Sequence, residues 1–189
     1  MAMLTELEAI NQILSVTGDA PVSSITSTYE QAVIARRILL EISKEKQSKG
    51  YWFNEIDEQL ILQDGDGEVN LPADTIRADI PRDSGVLVQR GLRIFNKLLN
   101  TYTIDEDVYV NLVTELSWAL LPQSFRQMVV AYASLRYNAE YFGSQDLSQN
   151  ILGDIQAKEL VLQKEDIDNR DLNMLKSTRS SNIAFRNRR

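Results

Sequence analysis

The chain has 189 residues, 43% of them hydrophobic and 25% charged, which fits one globular domain, or one domain with a small inserted lobe, and is enough to bury a core. It contains no cysteine and no histidine, which excludes disulfides, thiolate metal sites, Cys nucleophiles and a Ser-His-Asp triad, and leaves carboxylate, Lys or Tyr chemistry. The net charge is -7, and the five basic residues of the final stretch (Lys176, Arg179, Arg186, Arg188, Arg189) sit among no acidic ones, so the body before them holds 15 basic against 27 acidic residues.

The first six residues, Met1 to Glu6, lack the basic-then-apolar order of a signal peptide. No apolar run approaches the roughly 20 residues that span a bilayer. Leu7, Ile10 and Leu14, with Ile13 beside them, predict a first helix that Gly18 stops. A loop through Pro21 follows. Ser27 or Thr28 is then placed to cap a second helix with a buried stripe of Ile34, Ile38 and Ile42. Lys44, Lys46 and Lys49 suit its C-terminal end, and Gly50 ends it.

Beyond Gly50 the period changes. Tyr51-Trp52-Phe53 is an aromatic cluster that reads either as a ligand-stacking platform or, more commonly for such a cluster, as packing where helix meets sheet. Leu60-Ile61-Leu62 leads into a strong turn, Asp64-Gly65-Asp66-Gly67. Val86-Leu87-Val88 and Leu92-Arg93-Ile94-Phe95 flank Gln89-Arg90-Gly91 as a hairpin, and Val108 to Thr114 alternates. Helix resumes after Pro122, a first-turn residue by this reading. Phe125, Met128, Val129, Tyr132, Leu135, Ala139 and Phe142 form its apolar face, and Gly143 stops it. Ser144 caps a fourth helix with Asp146 in its first turn and Ile155 and Leu162 on one stripe; the periodicity fades after Ile167.

The pattern predicts an α+β fold: a four-helix bundle over 1–57 and 119–175, an inserted antiparallel β lobe over 58–118, and an extended basic tail over 176–189. An acidic body with a basic tail suggests a tail that docks elsewhere. Two acidic clusters carry ordinary readings. Asp64-Gly65-Asp66-Gly67-Glu68 fails the spacing of a calcium loop and reads as a hairpin turn. Asp166 to Asp171 lacks the glycine such a loop needs and reads as a solvated helix end. Arg36-Arg37 reads either as a solvated pair or as a contact to a neighbour's acidic face, and Tyr137, Tyr141 and Phe142 as core or subunit interface.

Several segments resemble one family. Ala9-Ile10-Asn11-Gln12-Ile13-Leu14, Gly18 to Ile25 and Ala35-Arg36-Arg37-Ile38-Leu39 come first. Gln47-Ser48-Lys49-Gly50-Tyr51-Trp52-Phe53-Asn54, Leu121 to Arg126 and Tyr137 to Gly143 follow in order. Together they are similar to tail tubular protein A of short-tailed bacteriophages. The resemblance implies a structural adaptor in the virion tail with no cofactor; the expectations that go with it are assembly in the host cytoplasm, no membrane anchor and no enzymatic activity, although some members of the family have been proposed to degrade polysaccharide. It implies a closed ring of about twelve subunits between the portal protein and the nozzle, tail tubular protein B, with genomic DNA passing through unbound. An acidic body agrees, since phosphate binding needs clustered Lys and Arg. The tail is the candidate clamp to the portal or a neighbouring subunit: Lys176, Arg179, Arg186, Arg188 and Arg189 pair with carboxylates, and Ile183 and Phe185 supply apolar anchors.

Two alternatives belong to other classes. A carboxylate-dependent polysaccharide hydrolase would draw on Asp105, Glu106 and Asp107, whose ordinary reading is a charged turn between strands. A DNA-binding module would use the basic tail and predicts steep salt dependence.

Overall fold

The computed structural model describes residues 3–81, 85–104 and 106–176, the side chains of 171–176 excepted. The fold is α+β, with two compact units: residues 1–43 with 121–189, and residues 44–120.

The first unit is helical. Helix α1 (Glu6–Thr17) starts at a capping box, in which the Thr5 hydroxyl accepts the Glu8 N–H and the Glu8 carboxylate accepts the Thr5 N–H at 2.8 Å. It ends at Gly18, whose φ of 80° is the left-handed cap conformation. Ala9, Ile10, Ile13 and Leu14 are its buried face. Helix α2 (Glu30–Gln47) begins later than a cap at Ser27 or Thr28 requires. Ser27 Oγ instead accepts the Tyr29 N–H within the preceding turn, and the Tyr29 carbonyl accepts the first helical N–H groups, from Ala32 and Val33. The buried stripe of α2 is Ala32, Ala35, Ile38, Leu39 and Ile42, with Ile34 only half-buried.

Helix α3 (Gln123–Tyr141) is capped by Pro122 rather than containing it, because Pro122 is extended (φ -61°, ψ 153°). Gly143, at φ 70°, closes the other end through its N–H to the Asn138 carbonyl. Phe125, Met128 and Val129 are buried as the periodicity predicts, whereas Ala139 and Phe142 are exposed. Helix α4 (Gln145–Lys176) takes the Ser144 hydroxyl as acceptor for the Leu147 N–H. It runs straight through Asp166–Asp171, which is therefore not a helix end. The i,i+4 pair of Arg170 with Asp166 supports this stretch without an apolar stripe.

Helix α3 packs on α1 and on α4. On the α4 side, Ala131 meets Ile151 and Ile155, with Tyr132, Leu135 and Val16 around them. Arg126, only 3% exposed, donates Nε to the Leu121 carbonyl at 2.8 Å and Nη1 to the Leu4 carbonyl at 2.7 Å. One buried cation thereby ties the chain entering α1 to the chain entering α3. Burial pushes its pKa below the usual value, though a guanidinium stays charged.

The second unit contains a three-stranded antiparallel sheet in the order β1-β5-β2 and a two-stranded one, β3-β4. The strands are β1 (Glu55–Ile61), β2 (Thr75–Asp79), β3 (Leu87–Arg90), β4 (Arg93–Asn96) and β5 (Val108–Thr114). Strand β1 starts before its alternation becomes visible because its register slips between Ile56 and Gln59, and Glu58 takes φ 51° there. The β3–β4 hairpin turns at Gly91-Leu92, with Gln89 and Arg90 inside the strand rather than in the loop. Gly91, at φ 62°, opens a two-residue loop that needs a positive φ. Val69, Leu71, Ile80, Ile94, Ile104, Val108, Val110 and Leu112 form the core.

A polar corner joins the end of α2 to these strands. Buried Asn54 accepts the Tyr51 N–H (2.9 Å) and donates to the carbonyls of Gln47 (3.0 Å) and Thr114 (2.9 Å). Gln47 binds the backbone of Leu116 through both its amide atoms. Gly50 has φ 82°, which favours glycine, and a Cβ there would lie 3.1 Å from Val113 Cγ2, so that any larger residue also has to displace that methyl slightly.

Candidate assembly surfaces

Of the three candidate catalytic carboxylates, Asp107 alone is shown in a structural post, and Glu106 is exposed. Asp105 lies outside the described residues; Asp107 Oδ1 accepts the Gln63 N–H at 3.1 Å, as a turn residue does. Asp64 accepts the N–H groups of Glu68 and Asp66, and these bonds hold its pKa below the ordinary carboxylate value. That is the hairpin turn, closed by Asp64 N–H to the Glu68 carbonyl. Among the described residues, no group of acidic side chains is placed to hold a metal ion. An open cleft of about 400 Å³ on the β1-β5-β2 sheet is lined by Glu55, Arg77, Asp79, Asn111 and Val113, with both signs of charge.

The aromatic and arginine pairs resolve differently from one another. Tyr51 is buried and stacks on Phe53 at 5.5 Å, with Trp52 edge-on to Phe53 at 5.0 Å. Tyr137 is buried and donates its hydroxyl to Asp19 Oδ2 at 2.9 Å; burial, then that bond, pushes its pKa upward. Tyr141 and Phe142 are exposed. Arg36 and Arg37 are engaged within the chain: Arg36 with Glu6 (2.7 Å), Arg37 with Glu41 (3.0 Å) and Glu140 (3.3 Å). Arg136 closes the group through Glu41 and Glu140.

The sequence reading missed the large apolar side chains that remain outside. At the turn after β4, Leu98 is 78% exposed and Leu99 is 65% exposed. The turn is held in shape: Asn96 Oδ1 accepts both leucine N–H groups at 3.0 Å, and Asn96 and Thr101 exchange backbone bonds. The signal was present, since two asparagines bracket Lys97-Leu98-Leu99 as they bracket a turn. On α4, Leu160 (67% exposed) and Ile167 (57%) share an outward face with Leu152. On α2, Val33 and Leu40 are also exposed. Of the basic tail, Lys176 is the last residue of α4, while Arg179, Ile183, Phe185, Arg186, Arg188 and Arg189 lie outside the described residues.

Apolar side chains held out to solvent on a braced turn and on two helices are candidate contact surfaces. A family model described as "Tail tubular protein" matches residues 7–172, and the chain belongs to that family. It is a structural protein of a phage tail. It is 26% identical, over 132 residues, to Tail tubular protein A of Klebsiella phage KP34, a stretch covering 69% of this chain and 70% of that protein. Among the described residues, no helix is long and apolar enough to cross a membrane.

Proposed function

We propose that this protein is the adaptor of the tail: a closed ring of about twelve copies that receives the portal protein on one side and the nozzle, tail tubular protein B, on the other. The observation that carries this reading is the family match, which runs through both units from residue 7 to residue 172. The likeness to Tail tubular protein A of phage KP34 supports it. The exposed leucines of both units supply apolar surface for neighbours, and a body with 15 basic against 27 acidic residues lets genomic DNA slide past. Assembly takes place in the host cytoplasm, and no cofactor is required. The basic tail is the clamp to the portal or a neighbouring subunit, with Lys176, Arg179, Arg186, Arg188 and Arg189 pairing with carboxylates and Ile183 and Phe185 as apolar anchors.

The test is capture of the cognate portal by full-length protein and by a version ending at Leu175. Binding by the first alone supports both the adaptor and the clamp. Equal binding keeps the adaptor and removes the clamp. Binding by neither removes the adaptor reading.

A further inference from the structure

The three-stranded sheet of the second unit has an open side. Its order is β1-β5-β2, so among the described residues β5 is the only strand beside β1. An edge strand offers unpaired backbone N–H and C=O groups to a segment that can extend alongside it. Charges and bulges are the usual guards against such pairing. On β1 both guards fall in the first half, where Asp57 and Glu58 occupy the slip between Ile56 and Gln59. The second half and its continuation, Gln59 to Gln63, carry no charge and leave Leu60 40% and Leu62 65% exposed. Leu60 lies opposite Tyr109 of β5, which is also exposed, so the apolar surface continues onto the sheet.

This edge is therefore acidic first and apolar last. Asp57 is exposed and forms no ion pair among the described residues. Glu55 does not count toward the acidic half, because it stands across Val113 from Arg77. One segment of the chain has the complementary order. Ile183-Ala184-Phe185-Arg186-Asn187-Arg188-Arg189 is apolar first and cationic last, with no carboxylate. Ile183 and Phe185 are two apart, the spacing of side chains on one face of a strand. The chain from Lys176 to Ile183 spans roughly 23 Å when extended, enough to reach a neighbour.

We infer that residues 183–189 of one copy add as a strand to the β1 edge of a neighbouring copy, antiparallel to it. That direction sets Ile183 beside Leu62 and Phe185 beside Leu60, and carries Arg186, Arg188 and Arg189 past Glu58 and Asp57. The parallel direction sets the arginines against the leucines instead. Strand addition takes its affinity from main-chain hydrogen bonds and its specificity from alternate side chains. The inference rests on the clamp reading above: it chooses the neighbouring subunit over the portal as what the tail grips, and it names the seat.

The chain has no cysteine of its own, so single cysteines report the contact directly. One full-length preparation carries Leu62→Cys; a second, with a different affinity tag, carries Ile183→Cys. The two are mixed, assembled alone and on the portal, oxidised and run on non-reducing gels. The expected result is a mixed disulfide roughly five-fold more abundant than the one formed between Leu62→Cys and Arg189→Cys, since a disulfide needs close Cα atoms. Adding Asp57→Lys to the first preparation should lower that yield roughly five-fold through like-charge repulsion. Equal yields at the two tail positions, or no loss with Asp57→Lys, overturn the assigned seat. A chain carrying both cysteines that closes on itself as a monomer overturns the pairing between copies. Absence of the mixed disulfide, in protein whose portal capture still needs the residues after Leu175, overturns the seat and leaves the clamp. If capture does not need those residues either, the clamp reading falls as well.

Discussion

Each unit buries a polar key that joins segments distant in sequence, but the two keys differ in kind. In the helical unit the key is charged: Arg126 holds the carbonyls of Leu4 and Leu121. In the β unit it is neutral: Asn54 holds Gln47 and Thr114, helped by Gln47 and Gly50. Both satisfy backbone groups that packing has cut off from water, which would otherwise be costly. A cation forms stronger bonds to carbonyls, and it leaves more behind when removed. An amide donates and accepts at one position, so it suits a corner where three chain segments meet.

The largest expected effect comes from removing the charged key. Arg126→Leu strips two buried carbonyls of charge-assisted donors and should cost about 4 kcal/mol, read as a lower midpoint in urea at unchanged slope. A loss under about 1 kcal/mol would mean that the carbonyls find other donors and the key is dispensable. Asn54→Ala should cost about 3 kcal/mol for its three buried bonds, and Gly50→Ala about 2 kcal/mol for left-handed strain and the contact with Val113. If Gly50→Ala proves neutral, the corner is looser than its geometry indicates.

Smaller still is the capping box. Thr5→Ala should cost about 1 kcal/mol, detected as earlier hydrogen exchange in the first turn of α1. The smallest effect separates the two units by the origin of a lowered carboxylate pKa. Glu140 is lowered chiefly by its bond to Arg136, with Arg37 adding to it. Asp64 is lowered by the backbone N–H groups of Glu68 and Asp66. Both folded values lie below the unfolded ones, so each contributes stability that is present above the unfolded pKa and lost as pH falls through the folded value. Carboxyl titration by NMR at low and high salt should move Glu140 back toward its ordinary value while leaving Asp64 in place, because salt screens ion pairs more than local backbone bonds. Equal movement of both would break the distinction.

Helix termini were legible where a single residue type decides them. Gly18 and Gly143 act through a left-handed backbone and Ser144 through its hydroxyl, all of them local effects that the sequence states directly. Starts were less legible at α2 and α3, because Ser27 served a turn and Pro122 stood one place outside the helix. Periodicity located Phe125, Met128 and Ile155 in the core, yet it also enlisted Ala139 and Phe142, which face outward. A helical face predicts sidedness and not which part of that side finds a partner. Arg36 and Arg37 read either as a solvated pair or as a contact to a neighbour's acidic face, and within the chain they are paired to Glu6, Glu41 and Glu140, two of them far away along the sequence.

The sequence by itself determined the α+β class, the order of two helices, a β region and two helices (though not strand β2), the absence of thiol and imidazole chemistry, and, through ordered short segments, the family. These follow from composition, local turn chemistry and period, which act over a few residues. Only the tertiary structure decided that Arg126 and Asn54 are keys and that Leu98 and Leu99 stand outside on a braced turn. Burial depends on which distant segment covers a residue, and no local rule supplies that.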